Sequence, residues 1–558
     1  MAYLFFPGRH LLTTAFQERY LKEVLSLPVS KMKLLGTPHM GGDEKINEIV
    51  FAVTSANQSN SRYNPIPFWA RLIALDRFAH AYKDASGVRY HMIGIPHYPP
   101  THRYIELLLK EIYEATSDQL RLVPENTLVL CSTPPLIELF MQRGFAVLPA
   151  EYDYAEKQFV AKPPAQIIRD TFEGGQNWKE NDEFRKNVSG SSQEVWENFP
   201  DIPATVERIW RDPLLNESGS LTQERNYFTY AVGMGHKNLI DLKYQDIKEM
   251  VVQGKIADEG CADGALIAYL AKDFPDSDII GIEITSEFMA RCLERQRSGE
   301  FGDTFVHFHQ RNLLDPIFKD NSIDTTICNS TTHEIWSYGK REESLRGYIE
   351  KKYKQMRSGG HLVIRDVVGP ENKGQEVYMQ INTSDGTNTG IFTEFSTASA
   401  LAKHLAGLST YARFLRFAED YLKDMRSSGK RGEETKVRFR EEIIDGKKFV
   451  VVRLKDAVEF MTKKDYFDNW RSELNEEFAF YNFSDWKRLL EECGFFIIEN
   501  PNDISRSSRV YANPWIVENR FRGKTDLFLK QNDSSLEPLE YPVTNMVLIG
   551  EKRERINQ

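Results

Sequence analysis

Two glycines and a carboxylate between residues 256 and 283 have the types and the spacing of a nucleotide-binding turn. Gly260 and Gly264 would let the backbone turn tightly and approach a ligand. A helix expected to begin near Ala265 directs its positive N-terminal end at the same turn. Glu283 ends the next apolar segment, where its carboxylate can accept hydrogen bonds from a ribose. The pattern predicts the front half of a βαβ unit that binds a ligand with an adenosine moiety.

The residues of the turn itself distinguish between two classes of adenosine ligand. A dinucleotide site has three glycines, spaced G-x-G-x-x-G, that make room for a pyrophosphate, whereas residues 258–264 read DEGCADG. This segment resembles motif I of the class I S-adenosylmethionine-dependent methyltransferases, an acidic residue followed by x-Gly-x-Gly-x-Gly, with Ala262 at the middle glycine. The resemblance implies S-adenosylmethionine as cofactor, because an acidic lead residue suits the ammonium group of methionine and would repel a pyrophosphate. In this turn it implies cofactor contacts from Asp258, Gly260, Cys261 and Gly264.

Three later segments resemble further motifs of the same family, in the expected order. Residues 309–315 are similar to the turn after the third strand, so the resemblance implies that Asn312 or Leu313 contacts the adenine. Residues 322–329 resemble the fourth strand, and residues 356–366 are similar to a glycine turn and a fifth strand. Several motifs in register are stronger evidence than any one of them, although an α/β domain that binds no cofactor stays an alternative.

Candidate groups for the chemistry stand where the predicted fourth and fifth strands end. Methyl transfer needs a positioned nucleophile, exclusion of water and, where the nucleophile carries a proton, a base. We expect His333 to act as base or substrate contact, with Glu334 beside it, since histidine titrates near neutrality. Asp366 completes the predicted catalytic set, and Asn329 is a predicted cofactor contact. Alternatively, His333 and Glu334 only cap the helix after strand four.

After the fifth strand, the predicted elements are separated by a longer stretch of sequence than is usual in this family. We predict a Rossmann-like methyltransferase core at residues 225–370 and 481–558, with residues 371–480 inserted as a substrate or lid subdomain. A second excursion, residues 499–540, is rich in arginine and aromatic side chains and is also expected to shape substrate specificity. Before the core, Tyr227, Tyr230 and His236 are expected to close over the cofactor.

Residues 1–210 predict a second α/β domain, because short apolar strands alternate with amphipathic helices. In detail this part resembles the nicotinamide-mononucleotide adenylyltransferase family, with Gly8-Arg9 near the start, Asn64-Pro65 after the second strand and Arg71 in the following helix. The resemblance implies a nucleotidyltransferase-like Rossmann fold. The fold class is therefore α/β throughout.

The first domain lacks the residues that adenylyl transfer requires in that family. Its H-x-G-H motif supplies histidines that stabilise charge on the phosphate, and Thr14, Ala15, Phe16 and Gln17 occupy the four positions here. We therefore expect this domain to be degenerate. His10 and His39 are the remaining histidines that would have to substitute.

Composition limits the partners of the chain. Its 558 residues suffice for about three domains, and a net charge of −10 disfavours RNA as a partner, since phosphate contacts require a basic surface. Five cysteines without paired spacing argue for reduced thiols, for the cytoplasm and against a zinc site, so no metal is expected. No apolar run is long enough for a membrane.

The methyl acceptor and the oligomeric state stay open on sequence alone. We expect a small or nucleotide-like acceptor. The alternatives are a bifunctional adenylyltransferase and methyltransferase, or an RNA or protein methyltransferase whose first domain is a scaffold.

Overall fold

The computed structural model describes residues 2–98, 101–173, 177–212, 237–532 and 535–553. The chain divides into two compact units, Met1–Thr222 and Gln223–Gln558. Tyr227, Tyr230 and His236, which the sequence predicts to cover the cofactor, lie outside the described residues. No helix in the described ranges has the length and apolar character needed to cross a membrane.

The first unit is built on a parallel sheet. Its strands are β1 (Tyr3–Gly8), β2 (Glu48–Val53), β3 (Arg89–Gly94), β4 (Thr127–Leu130) and β5 (Ala146–Leu148), followed by the hairpin β6 (Tyr152–Asp153) and β7 (Gln158–Phe159). The sheet order is β3-β2-β1-β4-β5. Strand β2 is buried along its whole length and is apolar after Glu48, because helices cover both faces of the sheet.

The helices of this unit pack on both faces and against one another. They are α1 (Ala15–Ser26), α2 (Phe68–Ser86), α3 (Tyr104–Ala115), α4 (Pro134–Gln142), α5 (Pro164–Glu173), α6 (Asp182–Asn187), α7 (Gly190–Asn198) and α8 (Asp201–Arg211). The alternation of strands and helices expected from the sequence is thus present.

The second unit contains two sheets. Its strands are β8 (Lys255–Glu259), β9 (Asp278–Glu283), β10 (Val306–Gln310), β11 (Ile323–Asn329), β12 (Met356–Val367), β13 (Glu376–Ile381), β14 (Phe439–Ile444), β15 (Lys447–Arg453), β16 (Phe496–Ile497), β17 (Arg509–Tyr511), β18 (Thr525–Lys530), β19 (Leu536–Leu539) and β20 (Asn545–Glu551). Its helices are α9 (Lys237–Ile247), α10 (Ala265–Asp273), α11 (Ser286–Arg297), α12 (Thr332–Tyr338), α13 (Glu342–Gln355), α14 (Ala398–Gly407), α15 (Thr410–Asp420), α16 (Lys423–Ser427), α17 (Leu454–Lys463), α18 (Trp470–Glu473), α19 (Phe483–Glu492) and α20 (Pro514–Ile516).

The larger sheet has the Rossmann-like arrangement of the methyltransferase fold. Its order is β10-β9-β8-β11-β12-β20-β16, and β17 also pairs with β20. Strands β8 to β12 are parallel, whereas β20 runs antiparallel to both β12 and β16. Because parallel strands end on one side of a sheet, the loops after β8, β9, β11 and β12 meet at a common edge, where ligands bind in open α/β sheets.

The smaller sheet is antiparallel and draws strands from two separate parts of the chain. Its order is β14-β15-β13-β18-β19. Strands β13 to β15 come from residues between β12 and α19, whereas β18 and β19 come from the excursion after β16. One apolar core joins this sheet to the helices of the same region. The segment between β12 and α19 and the segment after β16 therefore contribute strands to one subdomain.

Candidate active site

The glycine turn after β8 has the tight geometry that its sequence predicts. Gly260 and Gly264 have φ angles of +79° and +80°, in the left-handed region that favours glycine. A Cβ atom on Gly260 would lie 2.3 Å from Thr331 Oγ1, so the turn touches the loop after β11. The amides of Gly260 and Cys261 both donate to the Ile282 carbonyl, at 2.9 and 3.0 Å. Helix α10 then begins at Ala265, as expected.

The middle position of the turn also takes a left-handed conformation. Ala262 has a φ of +47°, which a side chain disfavours and a glycine accepts freely. The alanine that departs from the family motif therefore stands where the backbone is strained. Its amide is held in place by a hydrogen bond of 3.1 Å to Glu283 Oε2.

Asp258, the acidic lead residue, is buried at this turn. Its side chain is 1% exposed, and within the described residues its Oδ2 atom has no hydrogen-bond partner. Burial raises the pKa of Asp258 to about 7; Lys243 opposes this shift, while Glu259 and Glu283 add to it. A buried carboxyl oxygen with unused bonding capacity fits the ammonium group of a methionine moiety.

Glu283, at the end of β9, is tied to the glycine turn. Its Oε1 accepts from the Thr285 amide at 2.8 Å, while its Oε2 accepts from Ala262. Burial raises the pKa of Glu283 to about 7, against the hydrogen bonds from the backbone, and the charge of Glu334 raises it further. The carboxylate thus stands at the site edge, where the sequence predicts a ribose contact.

The other predicted cofactor residues lie in loops at the same edge of the sheet. Asn312 Oδ1 accepts from the Leu314 amide at 2.9 Å in the turn after β10. Leu313 is half-buried and packs against the apolar core. Asn329 is the last residue of β11, and its side-chain oxygen accepts from the Ser330 hydroxyl at 3.3 Å. Their cofactor contacts stay predictions.

Asp366, at the carboxyl end of β12, accepts hydrogen bonds from five donors. Its Oδ2 accepts from the Thr332 amide and hydroxyl at 2.7 and 2.6 Å and from the His333 amide at 3.2 Å. Its Oδ1 accepts from His333 Nδ1 and from the Val367 amide, both at 2.7 Å. Burial would raise the pKa of Asp366, but His333 and these donors hold it below its usual value. The helix-capping role that sequence reasoning considered for His333 and Glu334 is thus filled by Asp366.

His333 lies between two carboxylates. Its Nδ1 faces Asp366, and its Nε2 is 3.3 Å from Glu476 Oε2. Burial alone would lower the pKa of His333, but Asp366 and Glu476 together raise it well above its ordinary value. The Tyr338 hydroxyl donates to Glu476 Oε1 at 2.7 Å and so orients this carboxylate.

Glu476 is a residue that sequence reasoning missed. It follows α18, 138 positions beyond Tyr338, and no motif or spacing connects it with the loop after β11. His333, Glu334 and Glu476 offer ligand atoms that all lie within 4.8 Å of one another. The sequence predicted no metal-ligand set, whereas the structure brings together three side chains able to form one.

Lys243 is a second residue that the sequence did not single out. It is buried in α9, and burial together with Arg365 lowers its pKa to about 7, while Asp366 and Asp258 oppose the shift. One turn later, Asp246 Oδ2 accepts from Arg365 Nε at 2.8 Å and from the Tyr511 hydroxyl at 2.6 Å. These bonds hold α9 to the sheet edge.

This finding changes the interpretation of the second excursion. Arg509 also donates to Asp246, at 3.1 Å, so Arg509 and Tyr511 fasten α9. The sequence predicts that the excursion's arginine and aromatic side chains shape substrate specificity. For these two the structure shows a scaffold role.

The carboxylate next to Asp258 points to the other side of the sheet. Glu259 is fully buried and forms an ion pair with Lys352, also fully buried, while the Tyr348 hydroxyl donates to Glu259 Oε2 at 2.6 Å. The two acidic residues that open the motif therefore have different surroundings. Asp258 faces the turn, and Glu259 belongs to the core.

In the first unit, the positions of the missing H-x-G-H motif have a structural use. Thr14 and Gln17 form a capping box at the start of α1, and Gln17 Nε2 donates to Glu151 Oε1 at 2.7 Å. His10 is buried, donates through Nε2 to the Phe6 carbonyl at 3.0 Å, and has its pKa lowered by burial to about 4. His39 is exposed.

Arg71 of the first unit is likewise structural. It is fully buried, and its guanidinium donates to the carbonyls of Arg9, Thr54 and Ser55 at 2.7 to 2.9 Å. These bonds hold the ends of β1 and β2 together.

Comparisons with known proteins agree with the geometry of the second unit. Residues 252–419 match the family model described as a methyltransferase domain. No curated protein matches the chain in sequence.

Among solved structures, the chain is similar to an S-adenosylmethionine-dependent methyltransferase from Methanosarcina mazei, with 15% identity and a TM-score of 0.27. That alignment covers 55% of this chain and 98% of the other one. The chain is also similar to a possible histamine N-methyltransferase from Thermotoga maritima, with 12% identity and a TM-score of 0.27, over 59% of this chain and 97% of the other one. Superpositions at these values carry no conclusion about acceptor or partner. By the family match, residues 252–419 form a methyltransferase domain.

Proposed function

We propose that this methyltransferase transfers the methyl group of S-adenosylmethionine to a small or nucleotide-like acceptor held beside His333. One observation carries the proposal: the glycine turn lies against Thr331, two residues before His333. A cofactor on the turn and an acceptor at His333 are then neighbours, as an in-line displacement at a sulfonium methyl requires.

The cofactor half of the site follows from the turn and its carboxylates. Asp258 binds the ammonium group, because its buried oxygen has bonding capacity to spare. Glu283 binds the ribose, and Asn312 or Leu313 contacts the adenine. Backbone groups of Gly260, Cys261 and Gly264, together with Asn329, complete this half of the site.

The acceptor half consists of His333, Glu334 and Asp366. Asp366 orients the imidazole through Nδ1, so Nε2 points to the acceptor side, where it faces Glu476. His333 then serves as base or as substrate contact, with Glu334 beside it. Transfer forms the bond from the acceptor atom to carbon while the sulfur-carbon bond breaks, and it leaves S-adenosylhomocysteine.

We assign the smaller, antiparallel sheet and its helices to acceptor recognition. The support is Glu476, which comes from this part of the chain and reaches His333. We accordingly propose a methyltransferase core at residues 225–370 and 481–558 and an inserted substrate subdomain at residues 371–480, whose sheet is completed by β18 and β19 from the excursion after β16. A cytoplasmic location is consistent with five free cysteines.

For residues 1–210 we propose a nucleotidyltransferase-like domain that has lost adenylyl transfer and helps to recognise the acceptor. The capping box of Thr14 and Gln17 and the buried His10 support the loss, because none of these groups is positioned as a donor to a phosphate. Purified protein given ATP and nicotinamide mononucleotide should release no pyrophosphate. Steady release would favour the bifunctional alternative instead.

Calorimetric titration of the full-length protein tests the cofactor site. Saturable binding of S-adenosylhomocysteine, with no heat from NAD, is the expected result. Silence toward S-adenosylhomocysteine would contradict the proposal. Radiolabelled methyl transfer from S-adenosylmethionine into small-molecule, RNA and protein fractions of an extract then separates the proposed acceptor class from the RNA and protein alternatives.

A further inference from the structure

His333, Glu334 and Glu476 form a cluster with the geometry of a metal site. One ligand atom of each lies within 4.8 Å of the others, and His333 Nε2 is 3.3 Å from Glu476 Oε2. Nitrogen and carboxylate ligands bind a divalent transition metal at about 2.0–2.2 Å, which puts ligand atoms about 3–4 Å apart. Only a small contraction of this cluster is needed to reach that spacing.

The groups behind the cluster fix the orientation that metal ligands require. His333 donates from Nδ1 to Asp366 at 2.7 Å, which directs Nε2 toward Glu476. A histidine that donates its other ring N–H to a carboxylate is the usual arrangement behind a bound metal. The Tyr338 hydroxyl bonds Glu476 Oε1 at 2.7 Å, so Oε2 is the atom that faces the imidazole.

The balance of charge favours a cation at this place. Three carboxylates, those of Glu334, Glu476 and Asp366, surround one imidazole, so the cluster is negative even when the imidazole is protonated. Glu476 is 1% exposed and Asp366 is 1% exposed, and buried like charges are costly without a counter-ion. Lys243 offsets part of this charge at Asp366, and a divalent cation at the cluster would offset the rest.

The cluster is closed on one side and accessible on the other. His333 and Glu476 are buried, whereas Glu334 is half-buried. Three protein ligands with a further position open to solvent or substrate are typical of catalytic metal sites, whereas structural sites have four. The mixed nitrogen and oxygen donors suit Mn²⁺, Fe²⁺, Co²⁺ or Zn²⁺ better than Mg²⁺ or Ca²⁺, which prefer oxygen alone.

We propose that His333, Glu334 and Glu476 bind a divalent transition-metal ion and that a hydroxyl oxygen of the methyl acceptor completes its coordination. This inference rests on the proposed function and narrows it, since it names a hydroxyl-bearing acceptor. A His333 that binds the ion through Nε2 cannot accept a proton there, so it is a ligand and not the base.

The ion supplies Lewis acidity to the coordinated hydroxyl. The hydroxyl proton passes to water, the oxygen forms a bond to the methyl carbon, and the sulfur-carbon bond breaks. The products are a methyl ether and S-adenosylhomocysteine, so atoms and charge balance without a further reactant.

Metal binding is tested directly on the full-length protein with Mn²⁺, without any acceptor. Protein freed of metal with a chelator is titrated with Mn²⁺, and the free ion is followed by electron paramagnetic resonance. We expect one bound ion per chain. Glu476→Gln should weaken binding by at least about tenfold, while Glu343→Gln, at an exposed surface carboxylate of α13, should leave binding unchanged.

A second variant with a smaller change tests whether weaker metal binding could come from loss of folding. Tyr338→Phe removes only the hydroxyl that orients Glu476, and we expect weaker Mn²⁺ binding with unchanged circular dichroism. Absence of saturable Mn²⁺ or Zn²⁺ binding to the unaltered protein would overturn the metal site, as would equal binding by Glu476→Gln. S-adenosylhomocysteine titrations run in parallel separate the two proposals, because the cofactor site can bind its ligand when the metal site fails.

Discussion

The carboxylate of Asp366 accepts a 2.7 Å hydrogen bond from His333 Nδ1 and also caps the helix that carries this histidine. One side chain at the end of β12 therefore sets both the start of α12 and the direction of the imidazole. The orientation of His333 therefore depends on the end of β12 as well as on its own helix.

Asp366→Asn should reduce stability, because an amide cannot accept from all five donors and its NH₂ group would face at least two of them. We expect the free energy of unfolding to fall by about 2–4 kcal/mol, in the range for breaking a buried charged network. Urea denaturation measures the loss. Asp320→Asn, at an exposed position before β11, is the matched control and should change little.

The affinity for S-adenosylhomocysteine should depend on pH through Asp258. Burial raises its pKa to about 7, so the carboxyl is mostly protonated at pH 6 and ionised at pH 8. Since the ligand's ammonium group prefers the ionised form, affinity should rise about tenfold over this interval. Calorimetry at several pH values tests this.

The charged groups around Asp258 enter the same experiment. Glu283 also titrates between pH 6 and pH 8. Lys243, whose pKa is about 7, loses its proton over the same interval, and the neutral amine then no longer favours ionisation of Asp258. Glu259 adds a negative charge that opposes ionisation. Asp258→Asn removes the contribution of Asp258, so the affinity of the variant for S-adenosylhomocysteine should depend less on pH. An equally steep profile in the variant would assign the dependence to its neighbours.

Glu283→Ala should weaken binding of S-adenosylhomocysteine by about 1.5–3 kcal/mol, because a charged hydrogen bond to the ribose is lost. The variant also loses the bonds to the Ala262 and Thr285 amides, so the turn is less well held. Glu287→Ala, on the exposed face of α11, is the control and should bind normally. Unchanged affinity in Glu283→Ala would contradict the cofactor placement.

Gly260→Ala should disrupt the turn. The left-handed φ of +79° costs a side chain about 1–2 kcal/mol, and the added Cβ would collide with Thr331. We expect thermal stability and S-adenosylhomocysteine affinity to fall together. Gly347→Ala within α13, where the added Cβ meets open space, should instead raise stability by about 0.5–1 kcal/mol.

Lys352→Met should destabilise the core by about 3–5 kcal/mol, because Glu259 would be left as a buried charge without its ion pair. The double variant with Glu259→Gln should recover much of this loss, since both charges are then gone. Denaturation of the two variants measures the difference. Similar losses in the single and double variants would show that packing of the lysine stem dominates.

The sequence by itself determined the glycine turn at which we propose that the cofactor binds. The signals for the βαβ turn lie close together in the sequence. They are an apolar strand, Gly260 and Gly264 after it, and Glu283 at the end of the next strand. Parallel strands then bring their carboxyl ends to one edge, so Asp258, Asn329 and Asp366 were predictable as a group.

Tertiary structure alone decided which residues from distant segments surround His333 and the glycine turn. Glu476 reaches His333 from the far end of the inserted segment. Strand β18, from another excursion, pairs with β13, and β19 pairs with β18. Lys243 enters the site from a helix before the motif. These contacts join residues far apart in the chain, where periodicity and spacing carry no information. Only the packing of apolar faces brings them together.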